Sequence, residues 1–428
     1  MQLLRCLSIC CALAACEERR VVVDGPITVA AWTDRDDDAF LAREGKRFIE
    51  DTAYRRAALE ASLANHANIY SHQRLESYAL GTRGWDVLPI WNPRSAPVRG
   101  ARPALPADTQ PLWDGRTPAT RDEWIALGRR VFFEFPLRAE VFMEFALDRP
   151  ALAEEVGVER APDGTLPGLV VFTNVDGRER VGITCAICHT AVRDGALVVG
   201  AARRRFDYGK LRIAYFQETE AAVDPELMKR MATWGPGRAD VTEDNDEDPV
   251  AIPDLWGLRS QTSLTQAGTI HHATPLALAI RQETQLIHTN HQRIRPPREL
   301  AWALAMFIYS LEPPPRAPTD LFGALRGAAL FSLHCAKCHD NSAYGGSTIP
   351  HAKIGTDPAL ANGQARGTGR YRIPPLLDVA RGAPYLHHGV VASLDELLSP
   401  SRSVPGHRAG TDLDADDRAA LIAFLELL

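Results

Sequence analysis

Methionine, cysteine and uninterrupted hydrophobic sequence are all scarce in this chain. It has five methionines in 428 residues, the last of them Met306, so no thioether is available in anything that follows. It has eight cysteines: Cys6, Cys10, Cys11 and Cys16 crowd the amino terminus, and the others are Cys185, Cys188, Cys335 and Cys338. None is left over for a disulfide framework outside two tight pairs. No histidine stands between 190 and 270. No apolar run reaches the ~20 residues that a membrane-crossing helix requires. Lys and Arg number 48 against 54 Asp and Glu, for a net charge of -6, and no long basic run stands out, which argues against a nucleic-acid partner.

The first residues, MQLLRCLSICCALAACEERR, have one early positive charge (Arg5), a short apolar core and an abrupt switch to charge. That layout predicts an export signal and not an anchor. Its Leu13–Cys16 end, LAAC, resembles the lipobox of bacterial lipoproteins, in which the cysteine becomes the lipidated first residue. The expected location is the periplasm, with a lipid anchor at Cys16 and no other membrane contact; a plain secretory signal is the alternative.

The four remaining cysteines lie in two copies of C-x-x-C-H: Cys185, Cys188 and His189, then Cys335, Cys338 and His339. This is the attachment sequence for c-type haem, in which two thiols form thioethers with the porphyrin and the adjacent histidine reaches the iron. A zinc site would pair both motifs to reach four ligands, and a thioredoxin-like redox pair has no obligatory histidine. Two intact copies behind an export signal favour two covalently bound haem c groups, with His189 and His339 as proximal ligands.

Helical spacing surrounds both motifs. The segment 122–135 reads as an opening helix, and 295–315 as a closing one with Leu300, Leu304, Phe307, Ile308 and Leu311 on one face, stopped by a triple proline. A second opening helix, capped by Asp320, runs into Cys335 with Leu325, Ala329, Leu330 and Leu333 as its stripe, and a tail helix carries Leu421, Ile422, Leu425 and Leu428. A longer repeat reinforces the pairing: Ile252–Gly268 and Ile373–Gly389 each set a proline 15 residues before a glycine (268 minus 253, 389 minus 374) and match at Leu255 and Leu376. The expected fold is mainly α: two tandem class I cytochrome c-like domains with an N-terminal extension. The expected boundaries are a signal at 1–16, an extension, cap or linker at 17–118, a first haem domain at 119–316 and a second at 317–428.

At this point the sequence resembles the bacterial di-haem cytochrome c peroxidases and their relatives, including the methylamine dehydrogenase maturation enzyme and the haem-dependent rubber oxygenases. PPLLDVARGAPYLHHG (374–389) matches the family pattern at Pro374, Leu376, Val379, Ala380, Pro384, Tyr385, His387 and Gly389; the first-domain counterpart is matched less fully, at Pro253, Leu255 and Gly268. The resemblance covers about 120–428. The methionine that ligates the second iron in the peroxidases has no counterpart, its place being Ser401, and the imidazoles that follow the second motif are His351, His387, His388 and His407. The ending GHRAGTDL resembles the rubber-oxygenase-like branch, which implies His407 as the sixth ligand and gives His387 a propionate contact or a loop-holding role.

For the first haem the resemblance implies an open iron, with His271 or His272 as a possible sixth ligand and Met228 and Met231 at plausible separations. It also implies Glu283 and Gln285 as catalytic groups for peroxide cleavage, with plain solvated helix surface as the alternative, and Ca²⁺ at the acidic stretch holding Asp240, Glu243, Asp244, Asp246, Glu247 and Asp248, although a solvated loop explains the same carboxylates; Trp302 on the closing helix reads as core packing, with an inter-haem relay as the alternative. The implied function is electron transfer from a small periplasmic cytochrome c or copper protein through haem 2 to haem 1, where H2O2 is reduced. Two alternatives stand beside it: a pure electron carrier with both irons six-coordinate, and an O2-dependent oxygenase acting on an organic substrate.

Overall fold

Two glycines, each at the crossing of a helix pair, organise the two halves of the molecule. The computed structural model describes residues 38–81, 85, 88–95, 111–240, 242, 248–314 and 321–428. The signal with Cys16, the cap expected at Asp320 and the boundary expected near 316 lie outside the described residues. In the first half, the helix Arg121–Glu134 packs against Arg298–Tyr309. A methyl group added at Gly128 would stand 1.9 Å from the Ala303 carbonyl oxygen and 2.6 Å from Phe307 Cβ. In the second half, Leu321–His334 packs against Ala415–Leu425, and a methyl group at Gly327 would stand 2.0 Å from the Ala420 oxygen and 2.7 Å from Phe424 Cβ. Both crossings thus bring a glycine onto residues i and i+4 of the closing helix, at a distance that no other residue permits.

Local sequence accounts for where these helices begin. Thr120 accepts the Glu123 amide at 3.2 Å while Glu123 accepts the Ala119 amide at 2.7 Å, a capping box. Asp414 accepts the Asp417 amide at 2.8 Å. The closing helix Arg298–Tyr309 is buried from Leu300 to Tyr309 on every face, because Pro275–Thr289 and the N-terminal helices enclose it as well.

Three findings depart from the sequence reading. The extension is no detached cap: Asp38–Glu50, Thr52–Ser62 and Ile69–Ser77 join the core of the first half through Leu41, Phe48, Leu59 and Tyr70. Ahead of the first motif lies an antiparallel sheet, ordered Ile90–Trp91, Leu169–Thr173, Glu179–Ile183, Arg138–Ala139, with Val171 opposite Val181. Of the stripe expected to be buried on Leu321–His334, Leu330 packs on the core while Leu325 (58%), Ala329 and Leu333 (78%) are exposed, as is Phe322; Ala324, Gly327 and Phe331 make the inner face. The glycine crossing decides which face turns in, and hydrophobicity alone does not. No helix among the described residues is long and apolar enough to cross a membrane.

Replacing Gly327 with alanine forces the helices apart and is expected to lower stability by about 1–3 kcal/mol, the usual cost of overpacking. Thermal unfolding measures it; a change within ~0.5 kcal/mol, the range of an ordinary surface substitution, would place the crossing elsewhere.

Candidate functional site

Each C-x-x-C-H forms a single helical turn, closed by the His189 amide on the Cys185 oxygen at 3.2 Å and by the His339 amide on the Cys335 oxygen at 3.1 Å. One turn brings two sulfurs and an imidazole to one side of the chain. The sheet delivers the first turn: Glu179–Ile183 ends two residues before Cys185. Gly168, at φ 93°, lies so close to it that a methyl group would sit 2.0 Å from the Ile187 nitrogen. All four cysteines are free thiols. Burial pushes the Cys185 thiol up to about 12 and those of Cys188 and Cys335 to about 11, so these three are not poised as thiolates at neutral pH.

Both histidines are oriented from behind. His189 Nδ1 lies 3.0 Å from the Pro253 carbonyl, and His339 Nδ1 lies 2.7 Å from the Tyr344 carbonyl. A carbonyl only accepts, so Nδ1 carries the proton and Nε2 is left as a lone-pair donor, the arrangement seen at metal-bound histidines. Burial holds both imidazoles down to about 4, which keeps them neutral. The Pro374 carbonyl also acts on His339. Pro253 and Pro374 are the matching prolines of the long repeat, so the repeat supplies equivalent backing at the two sites.

The two motifs differ on the other side of the imidazole. The His407 ring faces His339 with centroids 6.5 Å apart and an interplanar angle of 68°. Imidazole nitrogens bind first-row metal ions at about 2 Å, which sets two rings on one ion roughly 6 Å apart by centroid; the observed pair fits one iron. His407 is held in a left-handed conformation, φ 45°, after Gly406, with its amide on the Ile354 oxygen at 2.8 Å and its own carbonyl accepting from Arg402 at 3.0 Å. Among the described residues no second imidazole faces His189 in this way.

Several expected residues are engaged elsewhere. His272 is buried with Nε2 on the Leu258 carbonyl at 2.8 Å and Nδ1 on the Tyr309 hydroxyl, so it offers no nitrogen to a metal; His271, on the adjoining strand, is exposed. Both are set aside as sixth ligands. Glu283 is fully buried and paired with Arg298 at 3.0 Å, and Gln285 accepts from Arg74 at 2.6 Å. Burial keeps the Glu283 carboxyl above its ordinary range despite Arg298 and Arg55. Both therefore face the N-terminal helices and are structural, not catalytic. Trp302 packs on Phe48 and Gly45 of the first described helix, which removes it as an inter-haem relay. Met231 is core.

His387 stacks between Tyr371, 3.9 Å away, and His388, 4.4 Å away, beside a cavity of about 280 Å³ shared with Arg238, Asp248 and Asp357; its carbonyl accepts the Ala251 amide at 2.9 Å. It fastens the loop. Of the acidic stretch, Thr242 Oγ1 donates to Asp240 and bridges to Asp248, while Glu243, Asp244, Asp246 and Glu247 lie outside the described residues. No group of three metal-ligating side chains occurs among the described residues.

Sequence reasoning missed Trp256. It is 1% exposed, donates to the Val199 carbonyl at 3.2 Å and packs with Ala191, Ala201 and Leu377. Its neighbour Gly257, at φ 68°, is pressed against Ala343, Pro375 and Leu377. The two repeat loops thus meet face to face, each carrying the proline that backs a histidine. Arg193 crosses the same seam to the buried Asp378 at 2.8 Å. The signal in the sequence was Trp256 lying three residues past Pro253, the interval separating Leu377 from Pro374.

Comparison with known proteins agrees with the second site. Residues 324–428 match the cytochrome c family model. A cytochrome c domain implies covalently held haem c, and this one contains Cys335, Cys338, His339 and His407. No curated protein matches the chain. Among solved structures, the "Crystal structure of a MauG-like protein associated with microbial copper homeostasis" is 19% identical, with a TM-score of 0.33 over 45% of this chain and 78% of that one. The architecture is helix-rich and includes a cytochrome c domain.

Two variants test these assignments. Glu283→Ala breaks the ion pair between the fully buried Glu283 and Arg298 and is expected to cost about 3–5 kcal/mol, read by chemical denaturation, with the haem absorption spectrum unchanged. His407→Ala is expected to turn one low-spin ferric haem high-spin in absorption and electron paramagnetic resonance; identical spectra would mean that another group faces His339.

Proposed function

We propose that the chain is an exported, lipid-anchored di-haem c-type cytochrome of two tandem haem domains. It takes electrons from a small periplasmic cytochrome c or copper protein at the His339/His407 centre and passes them across the seam to the His189 centre. There a small oxidant, H2O2, is reduced. The observation that carries the reading is the asymmetry between the motifs: an imidazole faces His339 at 6.5 Å between centroids, and none among the described residues faces His189.

Haem iron, when bound, supplies one-electron storage at both motifs and, where a coordination position is left to a small ligand, the reduction of peroxide to water with two electrons and two protons. The chain's own residues do the rest. The carbonyls of Pro253 and Tyr344 hold the protons on Nδ1 of His189 and His339, fixing the nitrogen offered to metal. His407 closes the second centre and reserves it for electron transfer. Trp256, buried at the meeting of the repeat loops, gives the seam an aromatic group packed on Ala191, Ala201 and Leu377. Beside the first motif, a cleft of about 720 Å³ lined by Arg138, Glu140, Phe142, Tyr208 and Arg212 opens to solvent, and the charges of Arg138 and Glu140 act on Cys188. The charged groups of Arg138, Glu140 and Arg212 in that lining offer hydrogen-bonding partners to a small polar oxidant.

The test is the spin state of the purified ferric protein during peroxide addition. One high-spin and one low-spin haem are expected, the high-spin signal disappearing on mixing. Two low-spin haems that ignore peroxide, cyanide and carbon monoxide would make the protein a pure electron carrier.

A further inference from the structure

Three polar side chains in the lining of the 720 Å³ cleft form one hydrogen-bonded group. The Tyr208 hydroxyl donates to Glu140 Oε2 at 3.0 Å and accepts from Arg138 Nη2 at 3.0 Å; the same guanidinium reaches Glu140 Oε2 at 2.7 Å through that nitrogen and at 3.0 Å through Nε. Glu140 is 3% exposed. The backbone fixes it: its amide donates to the Val181 carbonyl at 2.8 Å, and Arg138 stands opposite Ile183 in the sheet that leads to Cys185. The group lies against the first motif. Tyr208 and Cys188 pack on one hydrophobic cluster, with Ile187 and Phe206 in its core. The Arg203 amide meets the Cys188 carbonyl at 2.9 Å, the Phe206 amide meets the Arg203 carbonyl at 3.3 Å, and the Phe206 ring lies 5.8 Å from that of Tyr208.

Trp234 stacks on Tyr208 with centroids 6.4 Å apart and planes at 26°. It is 1% exposed, and its indole N–H is buried with no acceptor. The two stacked rings thus differ in one respect that governs oxidation. An aromatic side chain that loses an electron becomes a strong acid, and the loss is eased where a base waits at hydrogen-bond distance for the proton. Tyr208 has that base; Trp234 does not. Burial and the neighbouring Glu140 charge hold the Tyr208 phenol well above its ordinary range, so at neutral pH it keeps its proton and parts with it only together with an electron. The Arg138–Glu140 pair is balanced in charge without Tyr208, so the phenol is not there as a counter-charge.

We propose that Tyr208 is a redox-active residue that gives the first centre one of the two electrons by which peroxide is reduced, with Glu140 as the acceptor of its proton. The proposal rests on peroxide reduction at the first motif. In this step the Tyr208 O–H bond breaks, the proton passes along the existing hydrogen bond to Glu140 Oε2, and the electron goes to the first centre and on to the peroxide oxygens. A neutral phenoxyl remains, its oxygen still receiving the hydrogen bond from Arg138. The other electron comes from the haem iron. One electron from the second centre and the proton returned by Glu140 then restore Tyr208. The residue thereby holds an oxidising equivalent between peroxide, which takes two electrons, and a second centre that delivers them singly.

Rapid freeze-quench electron paramagnetic resonance of the full-length, haem-loaded ferric protein mixed with equimolar peroxide tests this, with haem absorption followed in parallel. Wild type is expected to give an organic radical signal that narrows when the protein is made with ring-deuterated tyrosine. Tyr208→Phe, which keeps the ring and leaves the Arg138–Glu140 pair intact, is expected to lose that signal while its haem spectrum still responds to peroxide. Glu140→Gln keeps the size and removes the base, and is expected to slow the rise of the signal by about a hundredfold, the scale of one positioned acid–base group. A wild-type haem spectrum that ignores peroxide would overturn the underlying reading, and the role of Tyr208 with it. A haem that responds without any radical, a signal narrowed by deuterated tryptophan and not by tyrosine, or a tyrosine signal undiminished in Tyr208→Phe would each overturn the role of Tyr208 alone. An unchanged rate in Glu140→Gln would remove Glu140 as the proton acceptor.

Discussion

Everything in this molecule that bears on chemistry depends on one hydrogen bond made twice: a backbone carbonyl receiving the proton on Nδ1 of a buried histidine. Without it the imidazole ring would be free to choose its tautomer and to turn, and the two thiols of the same helical turn would present sulfur to a ring whose iron had no defined partner. With it, Nε2 is the only lone pair available, and burial keeps it unprotonated. The carbonyl has to be held in turn. At His189 the carbonyl is that of Pro253, a residue that fixes its own backbone angle and donates no competing hydrogen bond; at His339 it is that of Tyr344, with the carbonyl of the repeat's Pro374 acting beside it.

The second constraint is steric. At Gly128 and Gly327 the helices approach until backbone touches backbone, so each crossing has one allowed geometry and the turn bearing the cysteines is launched from a fixed end. The same constraint explains the outward face of Leu321–His334. Once Gly327 is committed to Ala420, Phe322, Leu325 and Leu333 lie on the opposite side of the helix whatever their hydrophobicity. Helix periodicity told where the helix runs and misjudged which side is inside.

Much of the site was legible because its chemistry is local. Two cysteines, a histidine and the spacing between them are a property of five consecutive residues, and the prolines and Leu255 and Leu376 of the repeat lie at constant intervals. The closing helices were legible from their period and, for the first, from the triple proline that stops it. What escaped is what depends on distance in space alone. Glu283 resembled an accessible carboxylate on a helix until Arg298 and the N-terminal helices covered it. His272 looked available until Tyr309 and Leu258 took both its nitrogens. Trp256 looked like one of eight tryptophans, and only the meeting of the two loops sets it at the seam. The short strands before Cys185 carried too little alternation to stand out, and nothing in the extension advertised that the Ile69 and Tyr70 amides would meet the Gln364 and Ala365 carbonyls of the second half.

The balance of charge in the interior links these observations. In the first half Glu283 sits among Arg55, Arg295 and Arg298, so that one carboxylate serves several guanidinium groups and the N-terminal helices are bound to Pro275–Thr289 by an ionic contact. There the polypeptide carries the counter-charge itself, so the ion pair forms as the chain folds, and the cost of burying each guanidinium is offset only once the N-terminal helices have docked over Glu283.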